Sequence, residues 1–236
     1  MRTVAVVLAG GSGRRFDSAS PKQLRMLAGR NLIEHCVAAF DRAPAVDDVL
    51  VVAAADISQQ VRKDLAGYRK VADVVEGGAS RTDSTRRALG WLDGLPGDTK
   101  VLFHDAARPL LDQRTIADCV AMLDRFDAIG VVVPSADTIV TVTDGIIRRV
   151  LPRDTLARCQ TPQGFRLSVI ASAYELADAD PAFAAVPATD DCGVVLRYLP
   201  DVPIAAVEGS ERNLKITYAA DLTVATALLD TADPTG

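Results

Sequence analysis

The chain reads as a three-layer α/β domain built on a mostly parallel sheet, with a β-hairpin arm projecting from it, and three observations carry that reading. Short Val/Ile/Leu-rich runs recur along the chain, apolar on both alternations, as strands covered on both faces are. Amphipathic stretches separate them in the order of repeated βαβ units. One segment breaks this pattern, with Asp144 and Gly145 between two β-branched runs, which is a strong hairpin signal.

Taken in order, the runs at 3–8, 49–54, 71–75, 100–104 and 129–134 are too short for helices and are expected as strands. The stretches at 31–42, 57–68, 82–92 and 114–126 are expected as the helices between them. In the last of these Ile116, Val120, Met122, Leu123 and Phe126 fall mainly on one face, a core-packing pattern. Residues 138–143 and 146–150 form the expected hairpin, within an arm at 135–158. Exposed apolar edges on such an arm call for a partner, so a homodimer is expected. The chain then passes through Thr161, Pro162 and Gln163, a helix near 167–177, a loop carrying Thr189, Asp190 and Asp191, a strand near 204–207 and a last helix near 219–229. No internal repeat or low-complexity linker divides the 236 residues, which are expected to form a single domain.

Composition narrows the function classes. Hydrophobic residues are 49% and charged residues 24%, which suits a sizeable core and excludes disorder. The net charge of −5 argues against a broad basic surface for nucleic acid, so any anionic ligand must meet a local basic cluster. Cys36, Cys119, Cys159 and Cys192 form no C-x-x-C pair and have no zinc spacing with His35 or His104, so reduced thiols are expected. The apolar N-terminal run passes straight into glycines and reads as a buried strand rather than a leader. No stretch reaches the roughly 18 apolar residues of a membrane helix, and a cytoplasmic protein is expected.

The segment most informative about chemistry is Leu8, Ala9, Gly10, Gly11, Ser12, Gly13, Arg14, Arg15 and Phe16, followed by Pro21, Lys22 and Gln23. Glycines directly after a first strand let backbone N–H groups approach phosphate oxygens, and two arginines and a lysine could neutralise an oligophosphate. The segment is neither a P-loop nor a dinucleotide fingerprint. A glycine turn with solvated arginines is the plainer alternative, and the added basic residues tilt the balance to phosphate binding. A second cluster, His104, Asp105, Ala106, Ala107, Arg108 and Pro109, ends an apolar strand at the edge where open α/β sheets bind ligands. Asp105 there suits Mg²⁺ bridging nucleotide phosphates, or else forms a local ion pair with Arg108. Gly77, Gly78, Ser80, Arg81, Thr82, Asp83 and Ser84 combine a glycine turn with hydroxyls that can cap the next helix or touch a base or ribose.

Together these motifs, with Asp-Thr-Ile at 137–139, Gln-Thr-Pro-Gln at 160–163, Thr-Asp-Asp at 189–191 and Asn-Leu-Lys-Ile-Thr at 213–217, resemble the polyol-phosphate cytidylyltransferases, from residue 4 to about 228. That family includes the 2-C-methyl-D-erythritol 4-phosphate and D-ribitol 5-phosphate enzymes. The resemblance implies a Rossmann-like sheet of nucleotidyltransferase type and transfer of CMP from CTP to a polyol phosphate, with Mg²⁺ or another divalent cation. It implies that Ala9, Gly10, Gly11, Gly13, Gly78, Arg81, Ser84, Asp105 and Ala106 hold CTP, with Asp105 on the metal. It further implies that Arg15, Lys22 and Lys215 serve the reacting phosphates, and that Arg108, Thr138, Arg153, Thr161, Thr189 and Lys215 form the acceptor site. Thr138 would come from the partner's arm. By themselves Lys215 reads as part of an ordinary edge strand and Arg153 as a solvated arginine.

The residues at 8–11, 189–193 and 209–213 depart from the pattern of many methylerythritol enzymes, and Phe16 replaces a methionine common to both branches. On those rim positions D-ribitol 5-phosphate is the first expected acceptor and 2-C-methyl-D-erythritol 4-phosphate a close second. A CTP-binding module without turnover and a sugar 1-phosphate nucleotidylyltransferase are the alternatives.

Overall fold

The computed structural model describes residues 1–10, 21–186 and 188–231. In chain order the elements are β1 (Thr3–Ala9), the short pair β2 (Met26–Leu27) and β3 (Arg30–Asn31), α1 (Leu32–Arg42), β4 (Asp48–Ala53), α2 (Ser58–Asp64) and β5 (Val71–Glu76). Then come α3 (Arg81–Leu92), β6 (Lys100–Asp105), α4 (Gln113–Met122), β7 (Ala128–Pro134), β8 (Val140–Thr143) and β9 (Ile146–Val150). The chain ends with β10 (Ala157–Arg166), α5 (Leu167–Ala179), α6 (Pro181–Ala185), α7 (Asp191–Tyr198), β11 (Ile204–Glu208) and α8 (Ala219–Asp230).

Seven strands form the central sheet in the order β11-β7-β10-β6-β1-β4-β5. Every neighbouring pair is parallel except those made by β10, which runs antiparallel to both β6 and β7. The expected three-layer architecture is present. Along β1, Ala5, Val7 and Ala9 face one core with Ile33, Phe40, Val61 and Ile116 from α1, α2 and α4. Val4, Val6 and Leu8 face the other, with Leu92, Ile170 and Val195 from α3, α5 and α7. Because both faces are covered, the strand sequences are continuously apolar rather than alternating.

Local chemistry sets the helix starts. Asn31 accepts from the Glu34 N–H at 2.9 Å while Glu34 accepts from the Asn31 N–H at 3.0 Å, a reciprocal cap. Ser80 and Asp83 make the same pair at the start of α3, at 3.0 and 3.2 Å, as expected for that hydroxyl-rich turn. Two helices stop short of their amphipathic stretch: α2 ends at Asp64 and α4 at Met122.

The main departure from expectation is β10, which the sequence shows only as a return segment. Its strand carries Pro162 and Gly164 and has no apolar alternation. The pairing with β7 shifts register between Cys159 and Gln163, and that irregularity takes up a proline that has no N–H to offer. The Thr161–Pro162 peptide is cis. Gly164 is required by close approach: a Cβ there would lie 2.8 Å from Ile129 Cγ1 and 2.9 Å from Leu102 Cδ2. The expected loop is present between α6 and α7, with Asp190 capping α7 and Asp191 as its first residue, and residues 213–217 form no strand.

The hairpin forms as expected, with Asp144 (φ 51°) and Gly145 (φ 73°) both left-handed, the geometry of a type I′ turn. Among the described residues β8 and β9 pair only with each other. Ile139, Val142, Ile146, Ile147 and Val150 on this arm are 38–65% exposed.

Candidate functional site

Asp105 ends β6, beside the end of β1 in the register Leu8↔Asp105. At this edge parallel strands present their C-terminal ends, where open α/β sheets bind ligands. The Asp105 carboxylate takes Arg81 Nε on Oδ1 at 3.3 Å and Lys215 Nζ on Oδ2 at 2.6 Å. Burial would push this carboxyl up, but Arg81 and Lys215, with Arg108 behind them, outweigh it and hold Asp105 well below the ordinary carboxylate range. Asp105 is therefore ionised throughout the neutral range.

Lys22 opens a 3₁₀ turn after Pro21 and sends Nζ to the Ile216 carbonyl at 2.6 Å. It thus reaches the same 213–217 segment that carries Lys215, so cations 193 positions apart in sequence meet at one edge. Arg81, Lys215 and Arg108 thus surround Asp105, and Lys22 reaches the segment beside it. This is the local basic cluster that an anion-binding chain of net charge −5 requires.

Other expected ligand-side residues also make internal bonds. The Ala106 N–H donates to the Leu8 carbonyl at 3.0 Å, and the Ala9 carbonyl accepts from Gln23 Nε2 at 3.1 Å. Ser84 is buried and donates to the Ser80 carbonyl at 3.0 Å. A Cβ on Gly10 would come within 2.5 Å of Ser84 Oγ, so Gly10 lets the end of β1 approach α3, and one on Gly78 would come within 2.2 Å of Asp83 Cβ, so Gly78 lets the preceding turn close on the start of α3. Thr161 Oγ accepts from the Asp105 N–H at 3.1 Å and lies 2.9 Å from His104 Nδ1. Arg108 is also buried. Its Nη1 donates to the Asn213 carbonyl at 2.9 Å and its Nη2 to the Cys159 carbonyl at 3.4 Å. The alternative of an Asp105–Arg108 pair does not hold, since Arg81 and Lys215 take the carboxylate.

Thr138 and Arg153 lie exposed at the root of the arm, where Arg153 Nη1 donates to the Ala136 carbonyl at 3.0 Å, and Thr189 is exposed just before α7. The arm root sits at the same sheet edge as Asp105, beyond β10. Gly11, Gly13 and Arg15 lie outside the described residues.

Sequence reasoning missed the buried residues behind the site. Asn213 donates to the Thr161 carbonyl at 2.9 Å and so seats the segment bearing Lys215. Gln163 Oε1 accepts from the Asp191 N–H at 3.0 Å, while its Nε2 donates to Asp190 Oδ2 at 2.8 Å, fixing the start of α7 to β10. Asp191 in turn accepts from Tyr174 Oη and Thr85 Oγ1 and pairs with Arg81. The motifs at 160–163, 189–191 and 213–217 contained Gln163, Asp191 and Asn213, but sequence spacing does not show which of them meet.

For a divalent cation the donor set fits. Asp105 is one ionised carboxylate at a ligand edge, and Mg²⁺ bound with nucleotide phosphates takes one or two protein carboxylates rather than a complete protein cage. Among the described residues no group of three or more His, Cys, Asp or Glu converges.

The family model described as IspD, 2-C-methyl-D-erythritol 4-phosphate cytidylyltransferase, matches residues 3–231. The 2-C-methyl-D-erythritol 4-phosphate cytidylyltransferase of Thermobifida fusca is 51% identical, over 98% of this chain and 94% of that protein. The bifunctional ribulose 5-phosphate reductase/CDP-ribitol pyrophosphorylase Bcs1 of Haemophilus influenzae is 34% identical, over 96% of this chain and 48% of that protein. Among solved structures, 4-diphosphocytidyl-2C-methyl-D-erythritol synthase from Anaerococcus prevotii superposes with a TM-score of 0.84 at 26% identity, covering 97% of this chain and 98% of that one. With the sheet, the cation cluster on Asp105 and the match along nearly the whole length, the chain belongs to the IspD family of cytidylyltransferases.

Proposed function

We propose that this CTP-dependent nucleotidyltransferase transfers CMP from CTP to 2-C-methyl-D-erythritol 4-phosphate and releases pyrophosphate. The observation that carries the choice of acceptor is whole-chain identity, 51% to a methylerythritol enzyme against 34% to the CDP-ribitol one. The rim positions that favour D-ribitol 5-phosphate are few, and the identity over the whole chain outweighs them, so the expected order of the two acceptors is reversed.

In this reading an oxygen of the acceptor phosphate attacks the α-phosphorus of CTP, a new P–O bond forms, and the bond to the leaving pyrophosphate breaks. A phosphate dianion needs no general base, so the protein's work is to bring two anions together and hold them in line. Lys22 and Lys215, already at the edge, meet the charge that gathers on the α-phosphoryl oxygens and pyrophosphate, with Arg15 assigned there from the family pattern. Asp105 would hold a divalent cation, which when bound neutralises phosphate charge. The buried bonds of Thr161 and Arg108 make them supports of Asp105 and of the segment at 213–217. Thr138 and Arg153 would serve the acceptor from the arm, in a homodimer whose second subunit covers the exposed apolar arm positions.

Pyrophosphate release measured with CTP and Mg²⁺ against both polyol phosphates tests the proposal. Turnover at least tenfold more efficient with the methylerythritol substrate is expected. A preference for D-ribitol 5-phosphate would overturn the choice of acceptor, and equal rates with ATP or UTP would overturn the nucleotide.

A further inference from the structure

Asp191 is a carboxylate with 0% exposure in the first turn of α7. Placing a charge there is costly, and a buried charge persists only with strong local compensation. Its Oδ1 accepts from Tyr174 Oη at 2.7 Å and from Thr85 Oγ1 at 3.0 Å, and Oδ2 lies 2.8 Å from Arg81 Nη1. A neutral acceptor would satisfy the two hydroxyls, so the group that calls for a full charge is Arg81. Arg81 and Thr85 stand one turn apart on α3, and both touch this carboxylate.

The guanidinium is shared unequally. It lies 2.8 Å from buried Asp191 and 3.3 Å from Asp105, which faces the ligand edge. Asp191, Arg81, Asp105 and Lys215 thus form a row of alternating charge running outward from the core, anchored at its buried end. Both carboxylates raise the Arg81 pKa against the effect of burial, so the guanidinium stays charged.

We propose that Asp191 is a positioning residue for the transfer reaction, acting through Arg81: it holds the guanidinium beside Asp105 and keeps it from closing on that carboxylate. The inference rests on reading Asp105 as the nucleotide-side carboxylate. Without the charge at 191, Arg81, which otherwise gives Asp105 only its Nε, loses its second carboxylate. Arg81 then pairs with Asp105 through two N–H groups and occupies the oxygens that a metal–nucleotide needs.

The test compares Asp191→Asn, Tyr174→Phe and Arg81→Lys with the wild type, by calorimetric titration with CTP and Mg²⁺ and by steady-state pyrophosphate release. Asp191→Asn is expected to weaken CTP binding and raise its KM at least tenfold, while changing kcat less than threefold. Tyr174→Phe removes a bond to the same carboxylate but leaves its charge. It is expected to lower the melting temperature and leave the KM within twofold. In an Arg81→Ala background Asp191→Asn is expected to cost less than twofold more.

An unchanged KM in Asp191→Asn, an equal rise in Tyr174→Phe, or an undiminished effect in the Arg81→Ala background would each overturn the proposal. If Asp191→Asn does not fold, Arg81→Lys decides, because an ammonium cannot span both carboxylates: a tenfold weaker CTP affinity is expected, and wild-type affinity refutes the shared guanidinium. Calorimetry needs no acceptor, so a wild type that binds CTP but does not turn over the polyol phosphate would defeat the proposed reaction and leave this inference standing on its own result.

Discussion

Acidification should destabilise this fold chiefly through His104, well above the range in which carboxylates titrate. The ring is fully buried on β6, edge-on to Phe40 at 5.5 Å between centroids. Nε2 lies 3.0 Å from the Arg108 carbonyl, which can only accept, so Nε2 carries the hydrogen. Thr161 Oγ already accepts from the Asp105 N–H and gives its own hydrogen to Nδ1, leaving the imidazole neutral with both nitrogens satisfied. Burial pushes the His104 pKa from 6.5 down to about 4. Between those values the unfolded chain binds a proton that the folded protein refuses, so stability falls as pH drops from above 6.5 toward 4. At about 1.4 kcal/mol per pH unit the whole interval corresponds to about 3 kcal/mol, and most of it is lost by pH 4.5. Asp73, Asp83, Asp105, Asp124 and Asp180 have pKa values lowered from 3.8, so their contribution is lost only below that range. Urea unfolding at pH 7 and 4.5, with the denaturant slope checked for constancy, measures the loss. The wild type should lose about 2 to 3 kcal/mol, and His104→Gln, which cannot take up a proton, less than about 1. Equal losses in the two proteins would refute this assignment of the acid limb.

Lys215→Ala should reduce kcat/KM by a factor of 100 or more with little change in melting temperature, since Lys215 is partly exposed and its partner Asp105 keeps Arg81; near-normal pyrophosphate release would show that Lys215 only neutralises Asp105. Replacing Ile139 and Ile147 with Asp should give a monomer that binds CTP and turns over poorly, read by sedimentation velocity and pyrophosphate release. A fully active monomer would leave the arm without a part in the acceptor site.

The parallel strands were legible because burial on both faces forces continuous apolar runs, and the hairpin because Asp144-Gly145 admits few other conformations. β10 was not, because its place in the sheet is made by its neighbours: Gly164 is needed only where Leu102 and Ile129 close on it, and Pro162 only where the pairing with β7 shifts. At the site, Lys22, Asp105 and Lys215 could be named from their motifs. Their pairing could not, since Lys215 and Asp105 lie 110 positions apart and meet through a segment seated by Asn213. Arg108 and Thr161 were named from their motifs too, but not their internal bonds, Arg108 to the Asn213 and Cys159 carbonyls and Thr161 to the Asp105 N–H and His104.

The reversal of one strand also explains where the arm can be. In a parallel connection the chain leaves a strand at the ligand edge and must cross back over the sheet before entering the next. β7 is parallel to the main strands and ends at the ligand edge, whereas β10 is antiparallel and starts there. The link between them therefore begins and ends at the edge that holds Asp105, and its length is free of any crossover requirement. Residues 135–156 use that freedom to carry a hairpin with Thr138 and Arg153 at its root. In a chain with every strand parallel the same hairpin would have to be inserted into a loop beside a crossover helix. Here the antiparallel strand that brings Thr161 to the Asp105 backbone also places a long, exposed hairpin at the edge that holds Asp105.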